Sequence, residues 1–125
     1  ENVFLTGFSR GAIACNYIGL RDDEIAALWK GMLPHSHYDG VRKWNSPDSD
    51  AASARQRLAR LGSRAQFITQ EMSTQATEVY LKDSDPHGQF TFMAIPYPNH
   101  SDKWVLKDIP ERARARQWLA DCLKN

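Results

Sequence analysis

Gly7-Phe8-Ser9-Arg10-Gly11 sets one hydroxyl between two glycines, directly after the apolar run Val3-Phe4-Leu5 and directly before Ala12-Ile13-Ala14-Cys15. A β-favouring run followed at once by a helix-like segment is the strand-turn-helix context of a nucleophile elbow, in which a sharp turn projects the Ser hydroxyl from the tip of a sheet. Gly7 and Gly11 are expected to leave out side chains that would collide where the strand folds back over the helix start. The backbone N–H of Arg10 then lies at a helix N-terminus, where it can donate to a developing oxyanion. A second chemistry competes at His35-Ser36-His37-Tyr38-Asp39, two imidazoles at i and i+2 with a carboxylate at i+4. Imidazole and carboxylate ligands suit Zn. Only His87 and His100 remain to complete such a site, so metal binding ranks below serine chemistry and no metal or cofactor is expected.

The elements that must position these residues follow in order. The elbow helix carries Ile13, Ala14, Tyr17 and Ile18 at helical spacing, and Gly19 can end it in a left-handed cap. A second helix is expected over Asp22–Lys30, acids in its first turn and Lys30 in its last, closed by Gly31. Met32-Leu33-Pro34 reads as a short strand that Pro34 interrupts. Ala51, Ala54, Leu58 and Leu61 mark one face of a third helix, with Arg55, Arg57 and Arg60 assigned to its solvated face and Gly62 stopping it. Ala65–Glu71 is the next strand, followed by a helix from about Ser73, whose hydroxyl can cap it, to Leu81. Phe90–Ile95 is the clearest later strand, and Pro96-Tyr97-Pro98-Asn99-His100 leaves it as a stiff loop. Asp108 with Glu111 as a capping box, and Pro110 in the first turn, start a final helix with the stripe Ala115, Trp118, Leu119, Cys122 and Leu123. Strands alternating with helices predict an α/β three-layer sandwich with a mostly parallel sheet covered on both faces.

With this order the chain resembles the C-terminal half of an α/β-hydrolase, from the strand that carries the elbow to the last helix. The resemblance implies the order Ser, acid, His, each at the C-terminal end of a strand. It makes Ser9 the nucleophile and His100, on the loop leaving the last strand, its general base. The acid is Glu71 at the end of the third strand, with Asp39 after the second strand as the alternative, and the Arg10 N–H supplies one oxyanion donor. Phe8, His35, His37 and Tyr38 would wall the substrate pocket or order Glu71 and His100. The implied reaction is acyl hydrolysis, esterase-like or peptidase-like, on a small-molecule or peptide substrate. The rival His35/His37/Asp39 arrangement resembles the start of the dinuclear site of metallo-β-lactamase-like hydrolases, but Gly40 stands where that family has a further His.

Composition limits the other classes. At 125 residues, with 42% hydrophobic residues, the chain has the size and apolar content of one ordinary domain. A net charge of +1 gives no dominant field and points to neither nucleic acid nor a membrane surface. No apolar stretch approaches the roughly 20 residues that span a bilayer. The two cysteines, Cys15 and Cys122, lie in no short-spaced metal or redox pair and read as buried apolar residues, so the compartment stays open. The resemblance assigns residues 1–125 to the C-terminal part of one hydrolase domain. A third reading is therefore a non-catalytic fragment, whose exposed elbow strand, Val3 to Thr6, is expected to recruit other chains.

Overall fold

The computed structural model describes residues 1–125, which form one four-stranded sheet in the order β1-β2-β3-β4: β1 Phe4–Phe8, β2 Gly31–His35, β3 Ala65–Glu71 and β4 Phe90–Ile95. All three pairings are parallel. Because each strand is laid down beside the one before it, every connection returns over the same face if all share one hand. Helices α1 (Arg10–Tyr17) and α2 (Asp23–Ala26) lie between β1 and β2, α3 (Ala51–Ala59) between β2 and β3, and α4 (Gln75–Ser84) between β3 and β4. After β4 the chain turns to the other face with a 3-10 turn, Lys103–Leu106, and α5, Pro110–Lys124. Two cores result. Cys15, Leu20, Met32, Leu58, Leu61, Ile68 and Leu81 fill the first, and Phe67, Met93, Ile95, Trp104 and Ala115 the second. Phe67 and Ile68 are sequence neighbours in different cores because successive strand side chains point to opposite faces. The molecule is thus the expected α/β three-layer arrangement, with a sheet that is parallel throughout. The outer edge of β1 has no neighbouring strand.

Pro34 is accommodated rather than excluded. It pairs in register with Gly7 of β1, whereas toward β3 the register runs Gly31 to Ala65, Met32 to Gln66 and then His35 to Thr69, with Leu33 and Pro34 passed over. The missing Pro34 N–H costs the ladder toward β3 a rung without shifting the register, which is the same before Pro34 and after it.

Several local expectations are corrected. The second helix is only four residues long. Asp22 caps it by accepting from the Ile25 N–H at 2.8 Å, and the Lys30 N–H then bonds the Val3 carbonyl at 2.7 Å, which draws Gly31 into β2. Gly19 does not have positive φ. Its lack of a side chain serves close packing, since a Cβ would lie 2.6 Å from the Leu5 side chain. At α4 the N-cap is Thr74, although the Ser73 hydroxyl still accepts from the Gln75 N–H at 3.2 Å. The capping box of α5 does not form: Ile109 is the N-cap, Pro110 opens the helix, and Asp108 instead accepts from Arg112 at 3.2 Å. Of the α5 stripe, Ala115 is buried, whereas Leu123 is exposed and Cys122 half-buried. Cys15 is fully buried, and burial pushes its thiol up to about 12.

Candidate active site

Strands β1, β2 and β3 each end in a non-glycine residue at positive φ: Ser9 at 60°, Ser36 at 88° and Met72 at 63°. Such conformations cost of order 1–3 kcal/mol each and persist where the surroundings over-determine them. Here the cause is visible. Each of the three donates its N–H to the neighbouring strand: Ser9 to the His35 carbonyl at 3.0 Å, Ser36 to Thr69 at 2.8 Å and Met72 to Ile95 at 2.8 Å. The parallel ladder runs one residue past each strand while the chain already turns away, and the side chains of Ser9 and Ser36 are thrown across the strand tips.

Ser9 sits at ψ −116° and is the N-cap of α1, a position where a Ser side chain usually accepts from the helix's own N–H groups. It makes no such bond. Its Oγ lies 2.9 Å from His100 Nε2 instead. Gly7 is required for this turn, because a Cβ there would come within 2.1 Å of the Gly11 carbonyl oxygen. Gly11 is not required in the way expected: a Cβ on it would meet nothing within 4 Å. The Arg10 backbone N–H, the first of α1 and directly after Ser9, takes no acceptor within the protein.

The other side of the imidazole decides its tautomer. Ser36, 1% exposed, places its Oγ 3.0 Å from Glu71 Oε2 and 3.1 Å from His100 Nδ1. A hydroxyl has one proton, and an ionised carboxylate only accepts. Ser36 therefore donates to Glu71 and accepts from His100 Nδ1–H. That fixes the proton on Nδ1 and leaves the Nε2 lone pair for the Ser9 hydroxyl. The direct His100 Nδ1 to Glu71 Oε1 separation is longer, 3.4 Å, and Oε1 is buried without a hydrogen-bond partner.

His35 closes the far side of Glu71, its Nε2 3.6 Å from the same Oε1. Its Nδ1 lies 2.8 Å from Thr69 Oγ1 and its Nε2 3.2 Å from the Ser101 carbonyl oxygen. A carbonyl only accepts, so Nε2 carries the proton and Nδ1 receives the Thr69 hydroxyl. Burial lowers the His35 pKa against the opposing pull of the Ser101 carbonyl and of Glu71, and the ring is neutral near pH 7. His37 is lowered likewise, first by burial and then by Arg42 and His100. The Phe8 ring stacks on His35 at 5.5 Å and lies 4.7 Å from the His100 ring, so it floors both imidazoles. His37 stands between His100 and Trp44, at 5.6 and 5.7 Å.

Two expected residues lie elsewhere. Tyr38, 3% exposed, points into the first core and donates its hydroxyl to Gln66. Asp39 is held by Arg57 in a two-pronged pair, Nε to Oδ2 at 2.8 Å and Nη2 to Oδ1 at 3.0 Å. It makes no contact with His100, whereas Glu71 Oε1 lies 3.4 Å from His100 Nδ1, so Glu71 is the carboxylate beside the imidazole. With Asp39 engaged, His35, His37 and Asp39 do not converge, and no group of three His, Cys, Asp or Glu side chains is disposed to hold a metal ion. The assignment of Arg57 to a solvated helix face is overturned as well, since it is 8% exposed and is the partner that Asp39 requires.

Sequence reading missed Ser36, Thr69 and the Ser101 carbonyl. Small polar groups at strand ends carry no spacing signal of their own. Comparison of the chain with protein-family models, with curated proteins and with solved structures finds no match. No helix is long and apolar enough to cross a membrane.

Proposed function

We propose that this chain carries the acyl-transfer site of a serine hydrolase of the α/β-hydrolase type. The observation that carries the reading is the 2.9 Å contact between His100 Nε2 and the hydroxyl of Ser9, a residue turned out of its usual capping role by a positive φ. The order of Ser9, Glu71 and His100 along the chain, each at or just beyond the C-terminal end of a parallel strand, supports the family resemblance.

In this mechanism Ser9 Oγ attacks the acyl carbon while its proton passes to His100 Nε2. The tetrahedral oxyanion takes the Arg10 N–H. His100 then gives its proton to the leaving alkoxide or amine as the acyl bond to it breaks, and Ser9 is left acylated. Water, deprotonated by His100, attacks the acyl-enzyme, and the proton returns to Ser9 Oγ as the acid departs. During each step His100 is transiently a cation. Glu71 stabilises that cation, and Ser36 transmits its hold on Nδ1. A single oxyanion donor stabilises the intermediate less than a pair by about 3 kcal/mol, so slow turnover of activated esters is the expected behaviour of this chain.

A fluorophosphonate probe tests the assignment. Peptide mapping should find the label on Ser9 alone, the one serine in an elbow with an imidazole on its hydroxyl. Labelling of another serine, or none on folded protein, would remove the hydrolase reading.

A further inference from the structure

Beside the elbow, a cavity of about 350 Å³ opens between α1 and the loop over residues 44–49. Arg10, Tyr17, Trp44 and Ser46 are among its walls, and no acidic residue lines it. The loop that forms it is fastened at both ends. Ser49 Oγ accepts from the Trp44 N–H at 3.1 Å and donates to the Trp44 carbonyl at 2.6 Å, and the Tyr17 hydroxyl donates to the Pro47 carbonyl. The groove therefore exists before any ligand arrives, which lowers the ordering cost of binding. It also communicates with the site already described: Arg10 follows Ser9 in the chain, and the rings of His100, His37 and Trp44 form a continuous wall from the Ser9 hydroxyl to the groove. A cavity of about 380 Å³ on the α5 face instead lies behind Phe8 and His35 and does not include Ser9 or His100.

The charges give the groove its sign. The arginine–carboxylate pairs of the molecule use Arg21, Arg55, Arg57, Arg60 and Arg112; of the five arginines left without a carboxylate partner, Arg10 lines the groove and Arg42 lies on the Trp44 ring, whereas Arg64, Arg114 and Arg116 are not among its walls. The Arg42 guanidinium lies over the Trp44 ring, 5.0 Å from its centroid. Tyr17 and Trp44, each carrying a guanidinium on its ring from Arg57 and Arg42 respectively, give the groove two aromatic walls that suit a flat ring, and Arg10 in the lining, with Arg42 held on Trp44, suits a carboxylate from outside.

We propose that this groove binds an aryl carboxylate portion of the substrate, adjacent to the bond cleaved at Ser9. The inference rests on the hydrolase reading for its link to catalysis, and the substrate class it names is an ester or amide whose acyl or leaving group bears an aromatic ring with a free carboxylate.

The experiment uses the intact chain and two fluorophosphonates that differ only in an aryl arm ending in a carboxylate or a carboxamide. The carboxylate probe should modify Ser9 about tenfold faster, the order expected of one added charge-assisted contact, and 1 M salt should shrink the advantage. In the double variant Arg10→Gln, Arg42→Gln the ratio of the two rates should fall to near one, whatever happens to either rate alone. Calorimetric binding of 2-naphthoate against 2-naphthamide reads the groove without chemistry, and 2-naphthoate should bind the more tightly. Equal rates for the two probes together with equal binding of the two naphthalenes would overturn the inference, as would a preference that survives loss of both arginines. Naphthoate selectivity with no Ser9 labelling by either probe would sink the hydrolase reading and leave the anion groove standing.

Discussion

Two carboxylates, Asp39 just after β2 and Glu71 as the last residue of the adjacent parallel strand β3, are treated by the protein in opposite ways. Asp39, 2% exposed, has both oxygens taken by Arg57 at 2.8 and 3.0 Å. Burial raises its pKa and the guanidinium fork opposes that rise. Its partner is a permanent cation, so nothing about the pair changes when a proton moves nearby. Glu71 has one oxygen on the Ser36 hydroxyl and the other on nothing, with two imidazoles at 3.4 and 3.6 Å that are neutral or titratable rather than fixed charges. A carboxylate whose charge is already answered is an architectural group. One whose charge is only partly answered can stabilise a cation that appears beside it, which is what a general base becomes when it accepts a proton.

The difference is broken most sharply by neutralising each acid and reading two quantities. Glu71→Gln should slow Ser9 phosphonylation and ester turnover by a factor on the order of 10³ to 10⁴, the size of effect seen when a triad acid becomes an amide, with the melting temperature little changed. Asp39→Ala should do the reverse. It leaves Arg57 as an unpaired charge in a largely buried position, and breaking a buried pair by removing one member costs about 3–5 kcal/mol of stability. Protein of this variant that remains folded should react with the probe at close to the wild-type rate. If instead Asp39→Ala abolished labelling of folded protein and Glu71→Gln did not, the two carboxylates would have exchanged roles.

How far these roles could be read in advance depended on whether a residue's surroundings were local in sequence. Ser9 carried its context with it, because the strand, the glycine and the helix lie within a few residues of the hydroxyl. The limits of β3 and β4 followed from β-rich runs bounded by loop residues and were met in full. Arg57 was legible and overlooked: it lies three residues after Ala54 and four before Leu61, on the stripe that faces the core, yet its charge suggested solvent. Long aliphatic stems allow an arginine such a place when a carboxylate waits at the end. Asp39 could not be separated from Glu71 until that partner was found, 18 residues away. Ser36 had no signal at all. Its role arises from a backbone turn at positive φ and from two partners 35 and 64 residues distant. The α5 cap failed for a different reason, since Pro110 already removes one of the orphan N–H groups and Asp108 turns to Arg112.

A finer test of the comparison lies in Ser36, the link that makes Glu71 felt at His100. Ser36→Ala removes the acceptor of Nδ1–H and the donor to Glu71 Oε2 while leaving the direct 3.4 Å approach of Oε1 to Nδ1. The rate at Ser9 should fall about 10- to 100-fold, the worth of one hydrogen bond to a charged group. That is less than Glu71→Gln, because the carboxylate still stabilises the imidazolium through space. In the double variant Ser36→Ala, Glu71→Gln the loss should be smaller than the sum of the two in free energy, since both act on one imidazole. Strict additivity would mean that Ser36 acts independently of Glu71, as a mere space-filler.

The smallest effect concerns His35, the neutral neighbour that distinguishes the surroundings of Glu71 from those of Asp39. Burial depresses the His35 pKa in the folded protein, so the unfolded chain takes up a proton at a higher pH, near 6.5. Between that value and the lower folded one the unfolded state holds more protons. The stability attached to a neutral His35 is therefore complete above about pH 6.5 and is lost as the pH falls through the folded value, with a slope of at most about 1.4 kcal/mol per pH unit for one proton. Thermal melts between pH 8 and pH 5 should show this decline, and His35→Gln, which keeps a donor for the Ser101 carbonyl, should remove part of it and lower stability modestly at pH 8. Once protonated, His35 would also give Glu71 a cation, much as Arg57 does for Asp39, and weaken its pull on His100. The Ser9 labelling rate should accordingly fall less steeply on the acid side in His35→Gln than in the wild type. A wild-type acid limb that is unchanged by His35→Gln in both melts and labelling would mean that Glu71 does not depend on a neutral neighbour, and that the contrast with Asp39 rests on Ser36 and His100 alone.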